Sequence, residues 1–216
     1  TIWAPITVAT IAREYKKILD NYALETVGNT DFVKFQGHDF SMRGMSSLET
    51  ATTCGAAHLT SFVGTDTIPA IQFLEEYYGA NIETELVGCS VPATEHAVMC
   101  IGGEENELET ISRLLDLYPT GILSVVVDGW DLTKVLKPAS DGILMQLKEK
   151  ILARDGKLVI RPDSTPDSCS ISELLYGKGN VKLSDREMEA YYPDLYKKGV
   201  MGCMYEIFGG EVNSKG

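Results

Sequence analysis

Apolar residues recur along the chain at two different periods, and the alternation between them organises the sequence. Residues 9–23 carry Ile11, Tyr15, Ile18, Leu19 and Tyr22 at helical spacing, which predicts an amphipathic helix. Ser46-Ser47-Leu48-Glu49 reads as a capping box that opens a second helix through Ala57. A third helix is predicted over 67–78, with Pro69 in its first turn and Gly79 as its stop. Further helices fall over 104–118 and 140–155, with a short one over 170–176. Between them lie short strand-like runs at 58–63, 85–90, 122–127 and 157–160. Strands separated by helices of this length pair in parallel through right-handed crossovers, so the pattern predicts an α/β fold. Residues 178–198, rich in charge and tyrosine, read as an excursion inserted between strand–helix units.

The residues that follow the predicted strands carry the candidate chemistry. Phe62-Val63 runs into Gly64-Thr65-Asp66-Thr67, Val125-Val126-Val127 into Asp128-Gly129-Trp130-Asp131, and Leu158-Val159-Ile160 into Arg161-Pro162-Asp163-Ser164. In parallel β/α folds the carboxyl ends of the strands share one face, and ligands bind there. Each aspartate alone could be no more than the N-cap of the next helix. Arg161 and Asp163, one on each side of a rigid proline, argue for more. Carboxylates gathered beside a guanidinium suit a phosphorylated sugar that carries magnesium. Hard oxygens orient the hydrated cation, and the guanidinium takes phosphate or carboxylate in bidentate fashion. Fixed negative charge also stabilises an oxocarbenium-like transition state. Spacing alone supports an α/β enzyme acting on a phosphorylated ligand.

Composition narrows the class. The 216 residues are 44% hydrophobic and 23% charged, the make-up of a folded globular protein. The net charge of -12 is uneven: -2 over residues 1–74, -11 over 75–133 and +1 over 134–216. An acidic chain without a basic stripe argues against nucleic acid as a partner. Glu75, Glu76, Glu83, Glu85 and the run from Glu104 to Glu109 read as solvated surface. No apolar run approaches the roughly 18 residues of a membrane-spanning helix, and no basic segment leads an apolar start, so a soluble cytoplasmic protein is expected. The five cysteines lack a Cys-x-x-Cys pair and read as buried thiols in a reducing compartment. His38, His58 and His96 sit at no metal-ligand spacing, so no protein-held metal is expected.

Five segments, in order, resemble the nicotinamide phosphoribosyltransferase family. They are Pro5-Ile6-Thr7-Val8-Ala9-Thr10, His38-Asp39-Phe40-Ser41-Met42-Arg43-Gly44, Gly64-Thr65-Asp66-Thr67, Ser90-Val91-Pro92-Ala93-Thr94-Glu95-His96 and Ile160-Arg161-Pro162-Asp163-Ser164. Asn213-Ser214-Lys215-Gly216 also resembles a family segment. The resemblance implies part of a single type II phosphoribosyltransferase barrel of parallel β/α units, in a homodimeric enzyme of NAD salvage. Such an enzyme joins nicotinamide to 5-phosphoribosyl 1-pyrophosphate with magnesium, giving nicotinamide mononucleotide and pyrophosphate, with ATP as a possible coupled substrate.

Carried over residue by residue, the resemblance implies that Phe40 stacks on the nicotinamide ring with Arg43 beside it, near ring and phosphate. It implies that Asp66 accepts a hydrogen bond from the carboxamide, and that Ser90, Val91 and Ala93 line the same pocket. His96 resembles the histidine the family phosphorylates from ATP, with Glu95 and Asp131 as neighbours. Arg161 and Asp163 fall on the ribose and phosphate of the activated sugar, and Asp128 lies at the same strand end. His58 reads as structural. Asp66 favours amide over acid, because two facing carboxylates repel.

Family members are considerably longer. An N-terminal portion, a Gly-Asp segment that holds the ribose and a glycine-rich phosphate loop have no counterpart here. Thr165-Pro166-Asp167 and residues 178–198 also depart from the family's pattern. The chain therefore reads as a piece of a catalytic domain with negligible turnover in isolation. Two other readings stay open at this point: the acid-using nicotinate relative, and a non-catalytic fragment that needs another chain to complete its site.

Overall fold

The computed structural model describes residues 2–165, 169–179, 182, 184 and 193–210. These form two compact units, Thr1–Ser90 and Val91–Ser214. Much of the expected excursion, and the segments 166–167 and 213–216 singled out above, lie outside the described residues.

The first unit begins with α1 (Trp3–Thr26), whose buried positions are the small residues Ala12 and Ala23. It packs on α2 (Leu48–Leu59), which buries Ala51, Cys54, Gly55 and Ala56, and α2 packs on α3 (Ile68–Tyr78). Small side chains let these helices approach closely. The cap of α2 is Ser47, which accepts from the Thr50 amide at 3.1 Å; with threonine at the third position the reciprocal box expected on Ser46 and Glu49 is replaced by a single cap one residue later. Pro69 stands in the first turn of α3, and Gly79 ends it in the left-handed conformation at φ 70°, a region open to glycine at no steric cost. Two short parallel strands, β1 (His38–Asp39) and β2 (Gly64–Thr65), align His38 with Gly64 and Asp39 with Thr65. Cys89 adds a parallel bridge to Gly64.

Two expected strands are corrected here. Over 58–63 the helix runs through Leu59, and the strand follows only at Gly64. There the His58 ring stacks on Phe62 at 5.4 Å and its Nε2 lies 3.0 Å from the Gly64 carbonyl oxygen, which supports the structural reading of His58. Over 85–90 the chain leaves a turn closed by Glu85 N to Asn81 O at 2.8 Å, and pairing is confined to Cys89, whose amide donates to Val63 O at 2.7 Å and whose carbonyl accepts from Thr65 N at 2.9 Å.

The second unit is built on β3 (Thr120–Val126) and β4 (Asp155–Arg161), paired in parallel from Thr120 opposite Asp155 to Val126 opposite Arg161. Residues 123–126 are buried on both faces, as a covered parallel strand requires. Around them lie α4 (His96–Cys100), α5 (Glu107–Leu117), α6 (Leu132–Leu136), α7 (Ile143–Gln146), α8 (Lys148–Leu152), α9 (Ile171–Tyr176) and α10 (Asp194–Phe208), the last broken at Gly199. Met99, Ile111, Leu115, Leu123, Val125, Val135, Leu144 and Ile207 form the centre of its core. The single helix expected over 140–155 is two short helices, interrupted at Leu147, with β4 already begun at Asp155. Ser170 caps α9 reciprocally with Glu173 in a capping box.

The fold is α/β with short parallel sheets, and among the described residues no helix is long and apolar enough to cross a membrane. Among the described residues the five cysteines form no disulfide; Cys54 and Cys203 are buried, whereas Cys89, Cys100 and Cys169 are half-buried. The acidic run is not wholly surface: Glu107, in the first turn of α5, is 1% exposed.

Candidate functional site

Each unit gathers polar side chains where its strands end. In the first unit, β1 ends at Asp39 and Phe40 follows it at φ -111°, ψ 14°, leading into the 3-10 turn; the His38 and Phe40 rings face one another while Asp39 turns inward. Asp39 is buried and accepts from the Ser41 amide at 2.9 Å and from the hydroxyls of Thr67 at 2.7 Å and Thr65 at 3.3 Å. Burial pushes its carboxyl up, but the hydrogen bonds from Ser41 and Thr67 outweigh that and hold it below the usual carboxylate range. Asp39 thereby ties the end of β1 to the start of α3.

Asp66 follows β2, and its amide donates to the Asp39 carbonyl at 2.9 Å. One carboxylate oxygen, Oδ1, receives the Ser90 hydroxyl at 2.5 Å and lies 2.9 Å from His38 Nε2. A carboxylate oxygen only accepts, so Nε2 carries the hydrogen. The side chain of Asp66 is 44% exposed, and its second oxygen has no protein donor among the described residues. The His38 ring also stacks on Phe40, with centroids 4.3 Å apart and planes at 28°. Arg43 closes the 3-10 turn Ser41–Gly44 and is exposed near Phe40.

In the second unit, residues 92–94 run beside β3: Ser124 N donates to Pro92 O at 2.9 Å, and Thr94 N to Ser124 O at 3.0 Å. This places exposed Ala93 against the strand and carries the chain to His96 at the start of α4. Val91, half-buried, opens the segment. Asp128 follows β3. Its Oδ2 receives the amides of Asp163 at 3.0 Å and Ser164 at 2.7 Å and the Ser164 hydroxyl at 2.6 Å, so it ties the end of β3 to the end of β4. Burial opposes its ionisation, yet the donors from Ser164 and Asp163 hold its carboxyl below the ordinary range. Its Oδ1 lies 3.3 Å from His96 Nε2, without hydrogen-bond alignment.

The carboxylate facing His96 is thus Asp128, where sequence reading named Glu95 and Asp131. Asp131 accepts from the Thr133 amide at 2.9 Å and caps α6. Arg161, half-buried at the end of β4, donates to the Thr94 carbonyl at 2.6 Å. Asp163 is exposed, and an open cleft of about 550 Å³ beside it is lined by Arg161, Pro162, Asp163, Ser164, Thr165 and Leu174. Sequence pattern alone assigns His38 no role; its place two residues before Phe40 is the one local signal that it shares the site.

An α/β protein whose polar side chains cluster at the carboxyl ends of parallel strands is built to bind a ligand there. Residues 35–215 match the nicotinate phosphoribosyltransferase (NAPRTase) family, and the chain belongs to that family. It is 44% identical over 222 residues to a nicotinamide phosphoribosyltransferase of Acinetobacter baylyi, covering 100% of this chain and 40% of that protein. It is 39% identical over 216 residues to the enzyme of the same name from Mycoplasma pneumoniae, covering 100% and 41%. The one from Mycoplasma genitalium is 42% identical over 163 residues, covering 76% of this chain and 32% of the relative. The chain therefore spans about 40% of the length of its first two relatives.

Proposed function

We propose that the whole protein transfers the 5-phosphoribosyl group of 5-phosphoribosyl 1-pyrophosphate to nicotinamide in NAD salvage, giving nicotinamide mononucleotide and pyrophosphate. The lone pair of the pyridine nitrogen forms the bond to ribose C1, and the bond from C1 to the pyrophosphate oxygen breaks with its electrons leaving on pyrophosphate. Positive charge builds on the ribose between these events, and the fixed carboxylates of Asp131 and Asp163 stabilise it. Arg161 takes phosphate oxygens, and magnesium arrives on the diphosphate, with exposed Asp163 as the carboxylate to meet its hydration shell.

Asp66 carries the choice of pyridine. Its Oδ1 is engaged by His38 and Ser90, so the remaining oxygen accepts from the carboxamide NH2 and repels a carboxylate. Phe40 stacks on the pyridine with the face not covered by His38, and Arg43 lies near ring and phosphate. In a coupled reaction the lone pair of a His96 ring nitrogen forms a bond to the γ-phosphorus of ATP, the bond from that phosphorus to the ADP oxygen breaks with its electrons leaving on ADP, the other ring nitrogen gives up its proton, and water later cleaves the N–P bond to release phosphate. Asp128 Oδ1 faces Nε2 at 3.3 Å, and a proton held on that side leaves Nδ1 as the nucleophilic nitrogen. The complete fold on this reading is a parallel β/α barrel in a cytoplasmic homodimer.

The observation that carries the proposal is the exposed Asp66 carboxylate with one oxygen already engaged, in a chain whose relatives are named for nicotinamide. The test supplies the whole protein with magnesium, 5-phosphoribosyl 1-pyrophosphate and either pyridine. Nicotinamide mononucleotide formed with stoichiometric pyrophosphate is expected. Faster conversion of nicotinate would establish the acid-using reading instead, and no product from either would support a purely binding role.

A further inference from the structure

We infer that His38 is a positioning residue that sets amide selectivity, acting through Asp66 and Phe40 rather than on the substrate. The inference rests on the amide-binding reading of Asp66. Three observations carry it. Nε2 of His38 lies 2.9 Å from Asp66 Oδ1, across 28 residues of sequence. Its ring stacks on Phe40 at 4.3 Å. Its other edge is set by Gly64, where an added Cβ would come within 2.8 Å of His38 Nδ1 and 2.7 Å of the Gly37 carbonyl oxygen. The imidazole is therefore wedged between strand backbone, carboxylate and aromatic ring, and has little freedom to leave any of them.

The consequence is directional. An exposed aspartate rotates about two side-chain bonds, and rotation would average which oxygen meets the ligand. Donors from His38 and Ser90 converge on Oδ1, so rotation breaks both bonds at once and Oδ2 keeps a fixed direction. The same imidazole fixes the plane of Phe40. Recognition of the ring and recognition of its amide substituent are thus set by one side chain that need not touch the ligand. Preorganisation of this kind lowers the ordering cost of binding.

The two contacts can be separated by substitution. His38→Phe keeps an aromatic ring against Phe40 and removes the donor to Asp66. His38→Gln keeps a donor and removes the ring. The experiment titrates the chain with nicotinamide and with nicotinate, and follows the ring resonances of Phe40 and the imidazole nitrogens of His38 by NMR. Wild type is expected to prefer the amide at least about 10-fold, the value of one charge-assisted hydrogen bond. His38→Phe is expected to lose most of that preference while binding both pyridines. His38→Gln is expected to keep the preference and bind both more weakly. In wild type, the His38 resonances are expected to show hydrogen on Nε2 and to shift with nicotinamide, a readout that needs no variant to fold.

Undiminished preference in His38→Phe, or a His38 imidazole without hydrogen on Nε2, overturns the role of His38 and leaves the amide reading standing. A wild type that binds neither pyridine, or prefers nicotinate, overturns the amide reading itself and this role with it.

Discussion

Replacing Glu107 with glutamine should make the protein more stable at pH 8 and change it far less at pH 5. Glu107 is 1% exposed, and neither carboxylate oxygen has a hydrogen-bond partner among the described residues. Burial raises its carboxyl, Lys134 opposes, Asp131 and Glu104 push further up, and the net is a rise from 4.5 to about 7. The folded chain thus holds the proton that the unfolded chain releases. Below the unfolded value both states are protonated and nothing is lost. As pH rises from 4.5 toward 7, stability falls by about 1.4 kcal/mol per pH unit, and above 7 the loss is constant. The cost is about 3 kcal/mol at pH 8 and under about 1 kcal/mol at pH 5. Glutamine has the shape without the proton equilibrium. Urea denaturation of both proteins at each pH measures the difference, in which other titrating groups cancel. A stability difference that does not grow between pH 5 and pH 8 would refute the reasoning.

Other consequences follow from the two clusters. Asp66→Ser should weaken nicotinamide binding by about 10- to 100-fold, the loss of one hydrogen bond to a charged group, and move preference toward nicotinate, as competition titration would show. Asp128→Ala removes the acceptor of three donors from Asp163 and Ser164 and should cost about 2–4 kcal/mol in chemical denaturation. Because the Asp128 carboxyl is held low, its contribution is present above the ordinary carboxylate range and disappears as pH falls, so the loss should shrink in acid. Gly64→Ala should destabilise the first unit by about 1–3 kcal/mol and weaken nicotinamide binding together, since its Cβ collides with Gly37 and His38.

How far the sequence reveals this arrangement depends on how local each signal is. The run Ile122 to Val127 followed by Asp128 is legible because a strand buried on both faces leaves a continuous apolar run and the next residue falls at its carboxyl end. α2 and α3 are legible from Ser47, Pro69 and Gly79. α1 is legible as a helix but not in its packing: Ile11, Tyr15, Ile18 and Tyr22, the apolar face that predicts it, are exposed, and the close approach to α2 buries Ala12 and Ala23 instead. β1 is only two residues long and leaves no alternation to read. The run 58–63 mimics a strand because the end of a helix and a loop can carry the same apolar residues, and the stacking of His58 on Phe62 decides between them. His38 meets Asp66, and Asp128 meets His96, through tertiary contacts that no local spacing encodes. Glu107 shows the same limit from the other side: within an acidic run, its burial is set by the packing of α5 and not by its neighbours in sequence.

The most direct test of a pyridine amide site at the strand ends is mapping of backbone amide shifts as the chain is titrated with nicotinamide. Changes concentrated at residues 38–44, 64–66 and 90 are predicted, centred on Asp66. Changes centred instead on the apolar groove of Ile151, Leu158, Met204 and Phe208 would contradict it.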